Sequence, residues 1–535
     1  MSKYLNQTTF TTTLLALGGL CCASTATAKS EKQPNILIIL ADDYGWNDLG
    51  CMGSQFYETP NLDRLAAKGV RFTCGYSACS VSSPSRASIM TGKSTPRHGI
   101  TSWIGDPAGE EWRKKKLHSK LLPAPYALGL KDEEVTLPEY LRDNGYTTFI
   151  AGKWHLGRGE TSTPEDNGFE VNVGAWEAGG PKGGYFAPYQ NPKLKDGEDG
   201  EQLSMRLAQE TAKFMEGQQK NGKKPFFAYL SFYAVHGNIE TSKSRWEYFR
   251  DKANKTGVAP SGFVVDRTLP VRTQQDNPVY AGLIADMDSA IGHVLDELER
   301  LKIDKNTLVF FVSDNGGVVS GDSYSTCLAP LRGGKGRQWE GGTRTPFIVY
   351  DPNSEGGRTC DTPTIGMDLY PTILSYAGLK PLPEQHVDGV DIMPLVRGGE
   401  IASRNLYWHY PHYGNQGGEP SSIVRSGAWK LIYYWEDGRL ELYNLDIDLG
   451  ESETLNHLYP ERVETLRADL MAWLKDTGAV APKADPTYDP KLEHATKLKM
   501  QSRILNSQES LRKKMLSPTW QPNASWWGSL PVTVD

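Results

Sequence analysis

Three short apolar runs predict the central strands of a sheet. Residues 35–40, 226–232 and 308–312 are dominated by Ile, Leu, Val and Phe, without the alternation of a strand that has one solvated face. Runs of this kind are typical of parallel strands that are buried on both faces. A fourth strand is expected at residues 146–150.

Helix signals alternate with these strands. Thr136 and Glu139 form a capping box that predicts a helix start, and residues 202–215 have an amphipathic pattern. Asn277 begins the helix that we expect to be the longest, because apolar residues recur along one stripe from there to Leu298. The alternation predicts an α/β fold with a mainly parallel sheet between two layers of helices.

The pattern changes near residue 401. Short strands rich in Trp and Tyr are predicted at 406–410, 428–434 and 440–445, followed by a helix at 460–475. We therefore expect a large domain at 29–400 and a smaller one at 401–535, whose tail beyond residue 480 wraps the surface. A chain of 535 residues that is 38% hydrophobic is long enough for both cores.

The first 28 residues predict a cleaved secretory signal. An apolar run at 14–20 precedes an Ala-Thr-Ala triplet at 26–28, and this run is too short to cross a membrane. A lipoprotein site at Cys21 or Cys22 is the alternative, ranked second because Leu20 and Cys21 are poor residues to precede a lipidated cysteine. We expect no transmembrane segment, and the net charge of −6 argues against nucleic acid as a partner.

Charged and amide side chains follow the predicted strands. Because the carboxyl ends of parallel strands meet at one edge of a sheet, we expect these side chains to converge there. Three carboxylates and an amide are hard oxygen ligands, which favour Ca²⁺ and, less strongly, Mg²⁺; three solvated surface carboxylates are the alternative. The converging residues are Asp42, Asp43, Lys153, His155, His236, Asp314 and Asn315.

Residues 79–92 are predicted to be a loop that turns into a helix. Pro84 suits the first helical turn and Gly92 a C-terminal cap, so Ser82 and Ser83 lie at the helix N-terminus. Free backbone N–H groups there favour an anion, and Arg86 adds a permanent positive charge one turn later. An N-capped surface helix with an exposed arginine is the alternative interpretation.

The same segment resembles the signature of the formylglycine-dependent (type I) sulfatases, in the arylsulfatase-like branch that contains carbohydrate sulfatases. The first residue of that signature is a Cys or Ser that is oxidised to an aldehyde. Here it is Ser82, so the resemblance implies 3-oxoalanine at residue 82, formed by a serine-type, radical maturase as partner. Cys79 lies three residues too early and is interpreted as a buried thiol. The matching residues are Ser82, Pro84, Ser85, Arg86, Thr91 and Gly92.

Further segments resemble the same family. They imply an alkaline-phosphatase-like core with a smaller C-terminal antiparallel-sheet subdomain. The family's substrate-facing histidine is usually followed closely by proline, whereas here His236 is followed by Gly237 and Asn238. The implied catalytic residues are Ser82, Arg86, Lys153, His155, His236 and Lys335. The implied metal ligands are Asp42, Asp43, Ser82, Asp314 and Asn315.

The resemblance also implies roles in hydrolysing a sulfate ester. Arg86, Lys153 and Lys335 would hold the sulfate charge while the hydrated aldehyde attacks sulfur. His236, helped by Lys335, would protonate the departing oxygen, and His155 would take up the proton when sulfate is released.

The expected substrate is a sulfated saccharide. A bacterial protein secreted to the periplasm, with an exo-acting pocket for galactose or N-acetylgalactosamine sulfate, is the favoured interpretation. The insertion at 101–134 is a candidate wall of the pocket. The alternatives are a phosphoester or phosphonate hydrolase on the same core and a non-catalytic glycan-binding protein in which Ser82 stays unmodified. Beside Lys153, His236 and Lys335, the sugar-contacting candidates, each of which could equally be a packing residue, are Trp103, Trp176, His409 and His412.

Overall fold

The computed structural model describes residues 33–159, 161–222 and 224–521. The predicted signal at 1–28 lies outside the described residues. Within the described residues, no helix combines the length and the apolar character needed to cross a membrane.

Strands and helices are interspersed along the described chain. The strands are β1 (Asn35–Ala41), β2 (Val70–Phe72), β3 (Gly75–Tyr76), β4 (Leu121–Leu122), β5 (Thr147–Gly152), β6 (Val171–Val173), β7 (Phe226–Ser231), β8 (Phe263–Asp266), β9 (Leu269–Arg272), β10 (Thr307–Ser313), β11 (Phe347–Tyr350), β12 (Arg358–Cys360), β13 (Thr364–Ile365), β14 (Asn405–Tyr410), β15 (Ser421–Ser426), β16 (Trp429–Tyr434), β17 (Leu440–Asn444) and β18 (Lys483–Ala484). The helices are α1 (Pro60–Lys68), α2 (Ser82–Thr91), α3 (Thr95–His98), α4 (Leu137–Asp143), α5 (Leu203–Asn221), α6 (Lys243–Thr256), α7 (Pro278–Arg300), α8 (Glu340–Thr343), α9 (Leu369–Tyr376), α10 (Met393–Val396), α11 (Pro460–Asp476) and α12 (Pro490–Met515).

The central sheet has eight strands in the order β12-β2-β11-β10-β1-β7-β5-β6. Strand β1 lies between β10 and β7 and is parallel to both, and β5 is parallel to β7. Strand β11 runs antiparallel to β10 and β2. The sheet is therefore mainly parallel, as predicted, and the carboxyl ends of β1, β5, β7 and β10 lie at one edge.

The side chains on the two faces of β1 pack into two different hydrophobic cores. Leu37 and Ile39 belong to the core that contains residues of α5 and α7, whereas Ile36 and Ile38 belong to the core that contains residues of α2 and α9. Every residue of β1 is buried. This explains the continuous apolar run in the sequence, because both faces of the strand are covered by helices. The predicted α/β class is confirmed.

The C-terminal part contains an antiparallel sheet in the order β14-β15-β16-β17. Helix α11 packs against it through Val463, Leu466 and Leu470, which share an apolar cluster with Val424 and Leu431. Strand β15 was not predicted from the sequence, whereas the other three strands and the helix were.

The expectation that the helix starting at Asn277 is the longest was wrong. Helix α7 has 23 residues and α12 has 26. Helix α12 lies against the hairpin formed by β8 and β9, where Ile504 joins a cluster with Phe263 and Leu269. At the end of α12, Met515 O accepts a hydrogen bond of 2.9 Å from Trp246 Nε1. The tail thus returns to the part of the chain that carries the central sheet.

Candidate active site

The site is built at the carboxyl edge of the central sheet. Asp42 and Asp43 directly follow β1, and Asp314 and Asn315 directly follow β10. The parallel register pairs Ala41 with Ser313, so the two acidic segments leave the sheet side by side. Asp43 N donates a hydrogen bond of 3.1 Å to Asp314 Oδ1, which holds the two segments together.

Helix α2 presents Ser82 to this edge. Ser82 is the first residue of the helix, and Gly92 ends it with φ 68°, a left-handed conformation that glycine adopts without steric cost. All ten residues of the helix are buried. Ser82 Oγ lies 3.3 Å from Asn315 Oδ1 and 3.4 Å from Asp42 Oδ1.

Three carboxylates form the centre of the site. Oxygens of Asp42, Asp43 and Asp314 lie within 4.8 Å of one another, and all three side chains are fully buried. Among the residues that the structure describes, this is the one group of three or more His, Cys, Asp or Glu side chains close enough to hold a metal ion. The donors are carboxylate oxygens with an amide oxygen from Asn315 nearby, which is the chemistry that a hard divalent cation requires. The cluster can therefore hold a metal ion.

Three buried basic side chains surround the carboxylates. Arg86 Nε donates to Asp314 Oδ2 at 2.8 Å, Lys153 Nζ donates to Asp42 Oδ2 at 2.7 Å, and Lys335 Nζ donates to Asp43 Oδ2 at 2.8 Å. Lys153 Nζ also lies 3.4 Å from Ser82 Oγ. Positive charge is therefore arranged around residue 82 as well as around the carboxylates.

Burial and neighbouring charges perturb these groups strongly. Burial and the nearby Asp314 carboxylate raise the pKa of Asp42 well above its usual value. Burial also acts to raise the pKa of Asp314, but Arg86 and Lys153 outweigh it and hold that pKa below the usual range. Burial lowers the pKa of Lys153, against the attraction of Asp42. Crowded carboxylates of this kind become easier to ionise when a cation binds between them.

His155 lies on the α2 side of the site. Its Nδ1 is 3.2 Å from Ser83 Oγ and its Nε2 is 3.3 Å from Ile104 O. Burial, with Lys153 and Arg86 nearby, lowers its pKa well below the usual value. The insertion at 101–134 thus reaches the site through Ile104, whose N–H also donates to Ser83 Oγ at 3.1 Å.

His236 lies in the segment that follows β7. Its Nε2 is 3.7 Å from Asp43 Oδ2, and its side chain is 23% exposed. Burial and the Lys335 ammonium lower its pKa to about 4, against the attraction of Asp43. The two histidines therefore contact different parts of the centre, His155 at Ser83 and His236 at Asp43.

A crevice of about 480 Å³ opens onto this centre. The crevice floor is lined by Ser82, His155, His236 and Lys335. Its walls include the predicted sugar contacts Trp103 and Trp176, and its mouth includes the exposed Arg158 and Lys182. Its size suits a sugar, because small-molecule pockets typically measure about 300–1,000 Å³.

The structure does not bring His409 and His412 to this crevice. His409 is buried, with Nδ1 2.8 Å from Ser422 Oγ and Nε2 3.1 Å from Val480 O. His412 is also buried, with Nε2 2.9 Å from Thr101 Oγ1. Neither lines the cavity. Both are packing residues here, which was the alternative considered from the sequence.

Several crevice residues were not identified from the sequence, among them Asp322, Asn415 and Gln416. Asp322 Oδ2 lies 3.2 Å from Lys335 Nζ, and it accepts a hydrogen bond of 2.8 Å from Gln416 Nε2. Asn415 Nδ2 donates to Asp322 Oδ1 at 3.4 Å. These residues lie in irregular segments, where no periodicity points to a site. The sequence signal nearest to Asn415 and Gln416 is the glycine-rich stretch 414–418 that contains them.

The fold and the site together define an α/β protein of the alkaline-phosphatase-like class, with a carboxylate cluster that can hold a metal ion at the carboxyl edge of its sheet. A family model described as Sulfatase matches residues 34–379, and one described as N-sulphoglucosamine sulphohydrolase, C-terminal, matches residues 335–478. The chain therefore belongs to the sulfatase family, and the protein is a sulfuric ester hydrolase.

Individual relatives agree with this assignment. The N-acetylgalactosamine-6-sulfatase of Canis lupus familiaris is 31% identical over 448 residues, which cover 78% of this chain and 76% of the relative. A sulfatase of Formosa agariphila is 28% identical over 563 residues, covering 90% of this chain and 97% of the relative. The predicted family is confirmed, while the roles of individual site residues stay predictions.

Solved structures share the fold. Ps i-CgsB in complex with k-i-k-neocarrahexaose has a TM-score of 0.68 at 24% identity, covering 90% of this chain and 99% of the other. The phosphonate monoester hydrolase of Agrobacterium radiobacter has a TM-score of 0.60 at 18% identity, covering 83% and 96%. Because phosphonate chemistry occurs on the same architecture, the fold by itself does not select the ester.

Proposed function

We propose that the protein hydrolyses sulfate monoesters at the ends of saccharide chains, using a formylglycine formed from Ser82. The observation that carries this proposal is the position of Ser82 Oγ. It lies within 3.4 Å of oxygens of Asp42 and Asn315 and of the Lys153 ammonium. A nucleophile at residue 82 would therefore work between the metal-binding cluster and a buried positive charge.

The cation and the modified residue would each supply one kind of chemistry. Held by Asp42, Asp43, Asp314 and Asn315, a divalent cation would supply positive charge to sulfate oxygens, and Ca²⁺ is our choice because all of these donors are hard oxygens. Oxidation of Ser82 to the aldehyde, by a serine-type maturase, would supply a hydrate whose hydroxyl is the nucleophile.

The basic side chains would hold the sulfate group. Arg86 is locked by two groups, because its Nε donates to Asp314 at 2.8 Å and its Nη1 donates to Ser231 Oγ at 2.6 Å. Lys153 and Lys335 are also fixed by carboxylates. Charges held in place before the substrate binds stabilise a developing negative charge without reorganising during the reaction.

The two histidines would handle different protons of the reaction, because they contact different groups. His236 and Lys335 both border the open crevice, so they would donate a proton to the departing sugar oxygen. His155 is held between Ser83 and Ile104 on the α2 side, close to residue 82. It would therefore act on a proton of residue 82 rather than on the sugar.

We assign a galactose or N-acetylgalactosamine sulfate as the substrate. Relatives named N-acetylgalactosamine-6-sulfatase are up to 31% identical to the chain over most of its length. The crevice is lined by Trp176 and by the basic Arg158 and Lys182 as well as by Glu177, and the aromatic ring with two cationic groups suits an anionic sugar. Export to the bacterial periplasm, through the predicted signal at 1–28, is part of the same proposal.

The test combines mass and activity. Trypsin should release residues 72–86 of the protein from its native host lighter by two hydrogen atoms than the unmodified peptide, because Ser82 carries the aldehyde. The same preparation should release sulfate from sulfated galactosides and leave a phosphonate monoester and a phosphate monoester intact. An unmodified Ser82, or preferential cleavage of the phosphonate, would refute the proposal.

A further inference from the structure

Lys335 lies at a boundary between two carboxylates. On one side its Nζ is 2.8 Å from Asp43 Oδ2, which belongs to the fully buried cluster. On the other side it is 3.2 Å from Asp322 Oδ2, whose side chain is 22% exposed and lines the crevice. Asp322 therefore lies on the crevice side of the Lys335 ammonium. The leaving group of the substrate must lie on the same side.

The Asp322 carboxylate still has room for a ligand. Its Oδ2 is occupied by Gln416 Nε2 at 2.8 Å and by the Lys335 ammonium. Its Oδ1 has one long contact in the part of the chain that the structure describes, to Asn415 Nδ2 at 3.4 Å. A carboxylate can accept about four hydrogen bonds, so Oδ1 can accept another without losing a present partner.

The backbone holds this carboxylate in place. Gly321, Asp322 and Tyr324 have φ of 64°, 40° and 46°, in the left-handed region where single residues are fixed by their surroundings. Tyr324 is completely buried and packs with Phe263 and with Ile504 of α12. The carboxylate is therefore presented by a rigid segment, as a selective contact requires.

A second segment links Asp322 to the loop that carries Lys335. Residues 414–418 are rich in glycine, and a Cβ on Gly418 would lie 1.7 Å from Gly336 O, so the two backbones are in close contact. Gln416 O accepts hydrogen bonds from Ser320 Oγ at 2.6 Å and from Arg337 Nε at 2.9 Å. The positions of Asp322 and Lys335 are thus fixed by one shared segment.

We propose that Asp322 is a specificity-determining residue that accepts a hydrogen bond from the free sugar hydroxyl nearest to the sulfate ester. The inference rests on the proposed function and adds the chemical feature that the crevice selects. A sulfated sugar has such a hydroxyl, whereas an aryl or steryl sulfate does not. An apolar leaving group would cover the carboxylate without giving it a donor, which a buried polar group tolerates poorly.

The test is a double-mutant cycle between one carboxylate and one hydroxyl. The full-length protein with unmodified Ser82 is titrated in a calorimeter with methyl galactoside 6-sulfate or 4-sulfate, whichever binds more tightly. It is then titrated with the analogue in which the nearest free hydroxyl is replaced by hydrogen. The same two titrations are made with Asp322→Ala and with the control Asp296→Asn, an exposed carboxylate on α7 that pairs with Arg64.

Loss of the hydroxyl should weaken binding to the wild type and to Asp296→Asn by roughly 10- to 100-fold, as expected for a hydrogen bond to a charged group. In Asp322→Ala the same loss should change the Kd less than about 3-fold, because the partner is already missing. Equal losses in wild type and Asp322→Ala would mean that Asp322 acts only through Lys335, and would overturn the inference.

Asp322→Asn keeps an acceptor oxygen and provides a second variant if Asp322→Ala unfolds. In Asp322→Asn, loss of the sugar hydroxyl should raise the Kd only a few-fold, since a neutral hydrogen bond is weaker than a charge-assisted one. If loss of the hydroxyl raised the Kd of Asp322→Asn as much as that of the wild type, the inference would be contradicted. Failure of the matured enzyme to release sulfate while the binding cycle holds would refute the proposed function alone. Absence of binding by every galactoside would overturn both.

Discussion

The carboxylate cluster leads to a quantitative prediction about metal binding. At a separation of at most 4.8 Å and an effective dielectric constant of about 20, two carboxylates repel each other by at least about 3.5 kcal/mol. Arg86, Lys153 and Lys335 offset part of this repulsion, but in the proposed mechanism each of them would also bind sulfate. A divalent cation should therefore stabilise the folded protein, and a chelator should destabilise it.

Asp314→Asn is the informative change, because it removes one of the three negative charges and nearly preserves the shape of the side chain. We expect the affinity for Ca²⁺ to fall at least about 100-fold, which corresponds to about 2.7 kcal/mol. With Ca²⁺ at about 1,000 times the wild-type Kd, the cation should stabilise the wild type by about 4.1 kcal/mol and the variant by about 1.4 kcal/mol.

The assay is unfolding monitored by circular dichroism, in Ca²⁺ and in chelator, together with calorimetric titration of Ca²⁺. Asp296→Asn serves as the matched control and should keep the full wild-type shift, because its carboxylate is exposed on α7. Sulfatase activity of the matured Asp314→Asn enzyme should be lost in parallel with Ca²⁺ affinity. Identical unfolding of the wild type in Ca²⁺ and chelator, or an undiminished Ca²⁺ affinity in Asp314→Asn, would refute the assignment of the cluster.

Two further predictions concern the histidines and a buried ion network. His236→Ala should lower kcat on a sulfated sugar by roughly 10²- to 10⁴-fold and leave kcat on an aryl sulfate with a good leaving group nearly unchanged. His155→Ala should lower kcat on both substrates alike. An equal loss on both substrates in His236→Ala would contradict the assignment of His236 as the proton donor to the leaving group. Burial, with Glu340 nearby, raises the pKa of Glu451 to about 7 against the attraction of Lys430, so the folded state retains a proton that the unfolded state loses near pH 4.5. Relative to Glu451→Gln, the free energy of unfolding of the wild type should therefore fall as the pH rises from about 4.5 to about 7. A difference in denaturant unfolding that is independent of pH would refute this.

The central sheet and the centre of the site could be predicted because they depend on one regular pattern. The apolar run of β1 has both faces buried, and Asp42 and Asp43 follow it without a gap. Parallel pairing then determines which other residues lie nearby, such as Asp314 after β10. The prediction needed only strand positions and the rule that carboxyl ends share an edge.

Other elements were missed because their sequences hide the pattern. Strand β15 has serine at both ends and few apolar residues, although its first five residues are buried by neighbouring strands and α11. The buried stripe of α12 consists of Ile504, Gln508, Arg512 and Met515, so two of its four members are polar. Arg512 is buried because it pairs with Asp276, and such a partner far along the chain leaves no local signal.

The histidines show what residue type alone cannot decide. His236 and His409 are both near buried strands, and both were candidates for substrate contact. His236 follows β7, a parallel strand whose carboxyl end faces the crevice, whereas His409 lies within β14, an antiparallel strand whose neighbour Ser422 occupies its ring. Position relative to the shared edge of the parallel sheet therefore separates a site residue from a packing residue. Asp322 obeys the same geometry one step further on, since it lies in the segment that leaves β10 beyond Asp314 and itself lines the crevice beside Lys335.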